Sequence, residues 1–238
     1  DGGTIPWDQE GTYRIVREAQ PAIVVNNRLD CSFGGLSADR DIGPHADYLT
    51  PEQVIGAYND RQPWETCMTL GTQWSWKPDD TIKTVDEVIR ILAGCAGGDG
   101  NLLLNVGPMP DGRIEPRQVD VLKGVGAWLA GCGESIYGTR GGPFKPGRYG
   151  ASTRRGNTIY LHVFAWTGPS LRLPPIPAKV VGSRILGGGA ATVRQTEAGL
   201  EVFAPEEGRH SADTVIVLEL DRPASGIVSL DVPGQALK

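Results

Sequence analysis

At 238 residues the chain is long enough for one large domain or two medium ones with real hydrophobic cores. Lys and Arg number 23 against 28 Asp and Glu, a formal net charge of −5. That balance argues against the basic patch that nucleic acid or an anionic membrane surface would ask for, and it suits a neutral or polar small-molecule substrate. No apolar run approaches the ~20 residues that cross a bilayer, and no basic-then-apolar segment opens the chain. Four cysteines (Cys31, Cys67, Cys95, Cys132) and three histidines (His45, His162, His210) are scattered without zinc-type ligand spacing. The cysteines are expected to be buried free thiols, and no metal or cofactor is expected.

Gly11 to Gln20 reads as a helix, with Tyr13, Ile15, Val16 and Ala19 near helical spacing and Pro21 ending it. Ala22 to Val25 is a short β-branched run, predicted to be a buried strand that closes on the polar Asn26-Asn27-Arg28. Glu65 to Leu70 is a second candidate strand, followed by a tryptophan-bearing loop over Thr72 to Lys77. Thr84 to Ala96 is the clearest helix, with Thr81 or Thr84 to cap it and the glycines at 97, 98 and 100 to stop it. Asn101 to Val106 predicts a third buried strand, and Pro116 to Ala130 a helix with Val119, Leu122, Val125 and Leu129 inside. Alternating strands and helices of this length imply a parallel sheet with helical crossovers. A complete (β/α) barrel takes eight strands and ~250 residues, so residues 1–146 are expected to form only the C-terminal part of one. Its open sheet edge and bare helix faces would favour self-association into a homo-oligomer.

From residue 147 helical periodicity disappears. Asn157–Phe164, Val180–Leu186, Ala191–Gln195, Leu200–Phe203 and Thr214–Leu220 alternate as strands with turn residues between them. Residues 147–238 are therefore expected to form a β-sandwich.

Candidate chemistry comes in four pieces. In a barrel the chemistry lies at the C-terminal ends of strands, where Asp1-Gly2-Gly3 would place an aspartate, although Asp-Gly is equally an ordinary turn. Asp47-Tyr48-Leu49-Thr50-Pro51-Glu52 offers Glu52, or else a helix start capped by Thr50. Trp64-Glu65-Thr66-Cys67 leads to Trp74-Ser75-Trp76, where exposed indoles either pack or bind, the apolar face of a sugar being a common partner. Gly100-Asn101-Leu102-Leu103-Leu104-Asn105-Val106-Gly107-Pro108 carries Asn105, an amide that needs partners and is expected to fix a loop.

In this order and spacing the pieces resemble glycoside hydrolase family 29, the α-L-fucosidases, strongly from residue 1 to about 140 and more loosely beyond. The resemblance implies that Asp1 is the nucleophile of the family's Trp-x-Asp motif, whose Trp would precede it. It implies Glu52 of Thr-Pro-Glu as general acid/base, Arg28 beside the nucleophile and sugar, and Trp74 against the fucose methyl group. Glu65 falls on a recurrent glutamate, structural or a reserve acid/base. A retaining double displacement on a fucosylated oligosaccharide or glycoconjugate follows, with two carboxyls ~5–5.5 Å apart and no metal. The family's sugar-gripping histidines and tryptophan fall upstream of Asp1, so the chain alone is expected to turn over little or nothing, and His45 reads as a solvated loop residue. Two other readings stay open: a non-catalytic carbohydrate-binding or structural piece, and a hydrolase for another sugar such as a galactoside, which an apolar Trp74 wall suits less well.

Overall fold

The computed structural model describes residues 8–29, 42–55, 58–166 and 168–235. Helix α1 (Gln9–Ala19) starts two residues before the sequence reading because the Asp8 carboxylate caps it, accepting from the Gly11 amide at 2.9 Å. The buried strand predicted over 22–25 does not form as such. Its Val25 carbonyl accepts from the Asp47 amide at 2.8 Å, the parallel bridge comes one residue later at Asn26 to Tyr48, and Val24 is 67% exposed. Residues 48–52 are extended too and do not start a helix, with Leu49 bridged to Trp64 and Glu52 to Cys67, both parallel. The Thr50 hydroxyl and amide each donate to Asn27 Oδ1 at 3.1 Å, which leaves Thr50 no role as a cap.

Strand β1 (Glu65–Thr69) pairs in parallel with β2 (Asn101–Asn105) from Glu65–Asn101 to Thr69–Asn105. Between them runs α2 (Val85–Gly97), opened by a reciprocal Thr84–Glu87 capping box. Each extended segment therefore pairs with the next in chain order. The prediction that β2 is buried needs correcting: Leu103 is 46% exposed, because among the described residues β1 is the one strand that pairs with it. Helix α3 (Pro116–Cys132) buries Gln118, Val125 and Trp128, while Leu122, read as interior, faces outward. Gln118 takes an inner position because its Oε1 accepts from the Gly107 amide at 3.1 Å.

The rest of the chain adds β3 (Arg140–Gly141), β4 (Gly150–Arg155), β5 (Thr158–Val163), β6 (Ser170–Leu173), β7 (Val180–Ile185), β8 (Thr192–Thr196), β9 (Gly199–Phe203) and β10 (Thr214–Leu220). They form antiparallel sheets ordered β3-β4-β5-β10-β7 and β6-β9-β8. Strand alternation sends Ile159, Leu161, Ile216 and Leu218 into a core shared with Leu171, Leu173, Leu200 and Val202 of the smaller sheet. The opposite residues, Tyr160, Val215 and Val217, pack on Val88 and Ile89 of α2 and Val125 and Trp128 of α3. The larger sheet thus has a core on each face. Arg90 adds a polar clasp across the second one, donating to the carbonyls of Ala212 at 2.9 Å and Ser211 at 2.8 Å.

Candidate active site

Arg28 lies in a 3-10 turn, Asn27–Leu29, just beyond the bridge at Asn26. Its main-chain amide donates to Asn26 Oδ1 at 3.0 Å, which tightens the turn. From there the guanidinium reaches across two extended segments. Nε donates to Thr50 Oγ1 at 2.8 Å, Nη1 to Glu52 Oε2 at 2.9 Å, and Nη2 to Cys67 Sγ at 3.3 Å. Arg28 and Glu52 are both half-buried, so the pair is partly shielded from solvent. The planar fork of arginine suits three acceptors at fixed angles, which a lysine would not match. Burial pushes the Cys67 thiol up; the Arg28 charge opposes that shift and the Glu52 charge adds to it.

Glu65 opens β1, two residues before Cys67 on the same strand face and four before the C-terminal end at Thr69. At ~3.3 Å per residue it stands ~13 Å along the strand from that end. Trp74 follows the C-terminal end of β1 and is 42% exposed. Its loop is anchored through the main chain. Asn105 Nδ2 donates to the Trp74 carbonyl at 2.9 Å, the loop-fixing contact anticipated for this amide. Trp76, by contrast, is partly buried and donates through Nε1 to Glu115 Oε2 at 3.1 Å. Arg117 pairs with Glu115 and donates to the Asp80 carbonyl at 2.9 Å. The Asp80 carboxylate accepts from the Thr72 hydroxyl and from the Thr72 and Thr81 amides, bonds that hold it at about 2. Gly107 is needed here: a Cβ on it would lie 2.6 Å from the Trp76 nitrogen.

The geometry thus joins Arg28 to Glu52, and places Trp74 on a braced loop beyond the neighbouring strand. Asp1 lies outside the described residues. Sequence reasoning missed Asp80 and Glu115, which lie in irregular segments with no periodicity to flag them, and Arg117, whose place in the first turn of α3 says nothing about its partners. His45 stacks on Tyr13 with ring centroids 5.2 Å apart and has no contact to Glu52 among the described interactions. A separate cleft of about 580 Å³ opens between α2, α3 and the end of β7, and none of Arg28, Glu52, Glu65 or Trp74 lines it.

The family model described as alpha-L-fucosidase matches residues 4–134. An alpha-L-fucosidase of Branchiostoma floridae is 36% identical over 135 residues, 51% of this chain and 29% of that protein. One from Dictyostelium discoideum is 29% identical over 199 residues, 78% of this chain and 39% of its own length. Among solved structures, alpha-L-fucosidase isoenzyme 1 from Paenibacillus thiaminolyticus superposes with a TM-score of 0.76 at 30% identity, covering 90% of this chain and 54% of its own. The chain therefore spans about half the length of that solved relative, and less of the curated ones.

Proposed function

Because the chain belongs to the alpha-L-fucosidase family, we propose that it is part of an enzyme that hydrolyses terminal α-L-fucosyl residues of glycans by a retaining double displacement. Residues 1–146 make the C-terminal part of a (β/α) barrel, a reading supported by the parallel pairing of successive segments with α2 between β1 and β2. Residues 147–238 make a β-sandwich, supported by two antiparallel sheets around one core.

The observation that carries the site is the Arg28–Glu52 pair, held at the ends of adjacent parallel segments where barrel chemistry is built. In the first displacement the Asp1 carboxylate attacks the anomeric carbon, forming an ester, while the Glu52 carboxyl gives its proton to the departing oxygen. In the second, Glu52 as carboxylate takes a proton from water, whose oxygen attacks the anomeric carbon and frees Asp1. The ion pair with Arg28 is the form Glu52 needs at the start of that second step. Glu52 is preferred to Glu65 because Glu65 sits at the N-terminal start of β1. Trp74 offers its exposed ring as an apolar wall for the C6 methyl group, a discrimination of about 1–3 kcal/mol against a hydroxymethyl.

The test is release of the aryl group from an aryl α-L-fucoside, by the chain alone and by the chain preceded by an upstream barrel half, with Glu52→Gln alongside. Turnover that falls ~10²–10⁴-fold in Glu52→Gln supports the assignment. Absence of turnover in both lengths, or full turnover in Glu52→Gln, overturns it. Fucoside binding that survives Asp1→Ala and Glu52→Gln without any turnover in the parent forms would point to a binding module.

A further inference from the structure

Gln53 follows Glu52 directly and has φ +56°, in the left-handed region that non-glycine residues seldom occupy. Three bonds hold it there. Its main-chain amide donates to the Cys67 carbonyl at 2.9 Å. Its side-chain Nε2 donates to Thr69 Oγ1 at 3.2 Å, and its Oε1 accepts from the Thr69 amide at 3.4 Å. Thr69 passes the connection on, its hydroxyl donating to the Gly71 carbonyl at 2.7 Å, where the Trp74 loop begins. The main chain on either side of Glu52 is tied to β1, the Pro51 carbonyl accepting from the Cys67 amide at 3.0 Å and the Gln53 amide donating to the Cys67 carbonyl, so what needs holding is the placement of the segment along β1 toward the Trp74 loop. A glutamine is long enough to cross the ~4.8 Å between neighbouring strands and grip the partner through both ends of its amide.

We propose that Gln53 is a positioning residue that, through Thr69, holds the Glu52 carboxyl against Arg28 and keeps it in register with the Trp74 loop. The proposal rests on the reading of Glu52 as acid/base, and its test separates the two. Cys67 reports on the placement of Glu52 without any turnover, because its thiol touches Arg28 and feels the Glu52 charge.

The pH dependence of Cys67 alkylation by iodoacetamide, read by peptide mass spectrometry, is compared in the parent chain, Glu52→Gln, Gln53→Gly, Thr69→Val and Thr69→Ser. Glycine accepts φ +56° freely, so Gln53→Gly keeps its thermal midpoint or raises it while losing the side-chain grip. The expected result is a Cys67 midpoint shifted downward in Glu52→Gln and, in the same direction, in Gln53→Gly and Thr69→Val, with Thr69→Ser restored toward the parent. Where aryl fucoside is turned over, Gln53→Gly lowers kcat ~10-fold with KM within ~2-fold. Profiles of Gln53→Gly and Thr69→Val that superimpose on the parent, while Glu52→Gln moves, overturn the proposal, as does a Glu52→Gln profile that does not move. Full turnover in Glu52→Gln with shifted Gln53→Gly profiles sinks the acid/base reading and leaves the positioning role standing.

Discussion

The side-chain amide of Asn105, at the C-terminal end of β2, donates to the main-chain carbonyl of Trp74 at 2.9 Å. This bond is what the break in the Leu102–Leu104 run achieves: a leucine at 105 would continue the strand and leave the loop carbonyl without its donor. Asn105→Leu should cost about 1 kcal/mol in chemical denaturation, and it should raise acrylamide quenching of tryptophan fluorescence as the Trp74 loop loosens. Unchanged quenching would show that the Asp80 and Glu115 anchors suffice without Asn105.

Asp80 makes the same loop sensitive to acid. Its carboxylate is held at about 2, chiefly by the Thr72 hydroxyl, then by the Thr72 and Thr81 amides and Lys77. An unfolded aspartate titrates near ~3.9. The folded value is the lower one, so the contribution is complete above the unfolded value and disappears as pH falls through ~4 to about 2. Urea midpoints of the parent chain and Asp80→Asn should therefore differ most above pH ~4 and converge toward pH ~2. A gap that stays constant across that range would show that the carboxylate charge contributes nothing.

How far the sequence showed this arrangement depends on what each signal measures. Helix α2 was legible to within a residue, because a threonine to cap it, the apolar face and the glycines that stop it all point to the same element, while the choice of Thr84 over Thr81 and the Glu87 half of the capping box came from the structure. The alternating strands β5 and β10 were legible for the same reason. Strand β4 was missed: Gly150–Arg155 has neither aromatic nor aliphatic β-branched residues, yet its first four positions are buried, Ala151 against the Gly97 end of α2 and the Ser152 hydroxyl on the Phe144 main chain, which small side chains allow. The strand over 22–25 was over-read, since β-branched residues suit an extended chain but do not supply a second neighbour to pair with. At the site, the Arg28–Glu52 contact spans 24 residues and no local pattern encodes it; the family resemblance singled out both residues but implied Arg28 beside the nucleophile and sugar, not paired with Glu52. Gln53, Asp80 and Glu115 act through loop geometry, which periodicity does not report.

Close packing of α2 on the larger sheet makes its last glycine irreplaceable. A Cβ at Gly97 would stand 2.5 Å from the Ala151 Cβ and 3.2 Å from the Ser152 amide nitrogen, with no flexible side chain to yield. Gly97→Ala should destabilise the fold by about 1–3 kcal/mol through overpacking. Gly126, exposed on α3 with nothing within 4 Å of the added Cβ, offers the opposite case. Gly126→Ala should gain about 1 kcal/mol from helix propensity alone. Thermal or urea unfolding of the two variants checks both signs, and a neutral Gly97→Ala would mean that the helix can slide away from the sheet at little cost.

His162 on β5 and Asp213, just before β10, meet at 2.6 Å between His162 Nδ1 and Asp213 Oδ2, and neither side chain is exposed. The pair sits on the sheet face that packs against α2 and α3, where Tyr160 and Val215 join the helical core. His162 Nε2 and Asp213 Oδ1 have no partner among the described residues, so each group depends on the other for its polar contact. Removing one partner strands the other in an apolar setting, which costs about 3–5 kcal/mol, whereas apolar replacement of both can be close to neutral. Asp213→Ala and His162→Ala should each lower the unfolding free energy by that amount, and the double variant His162→Leu/Asp213→Leu should recover most of it. A double variant as unstable as the sum of the singles would mean that the two residues act independently, and that packing volume rather than the polar contact is what this part of the helix–sheet core requires.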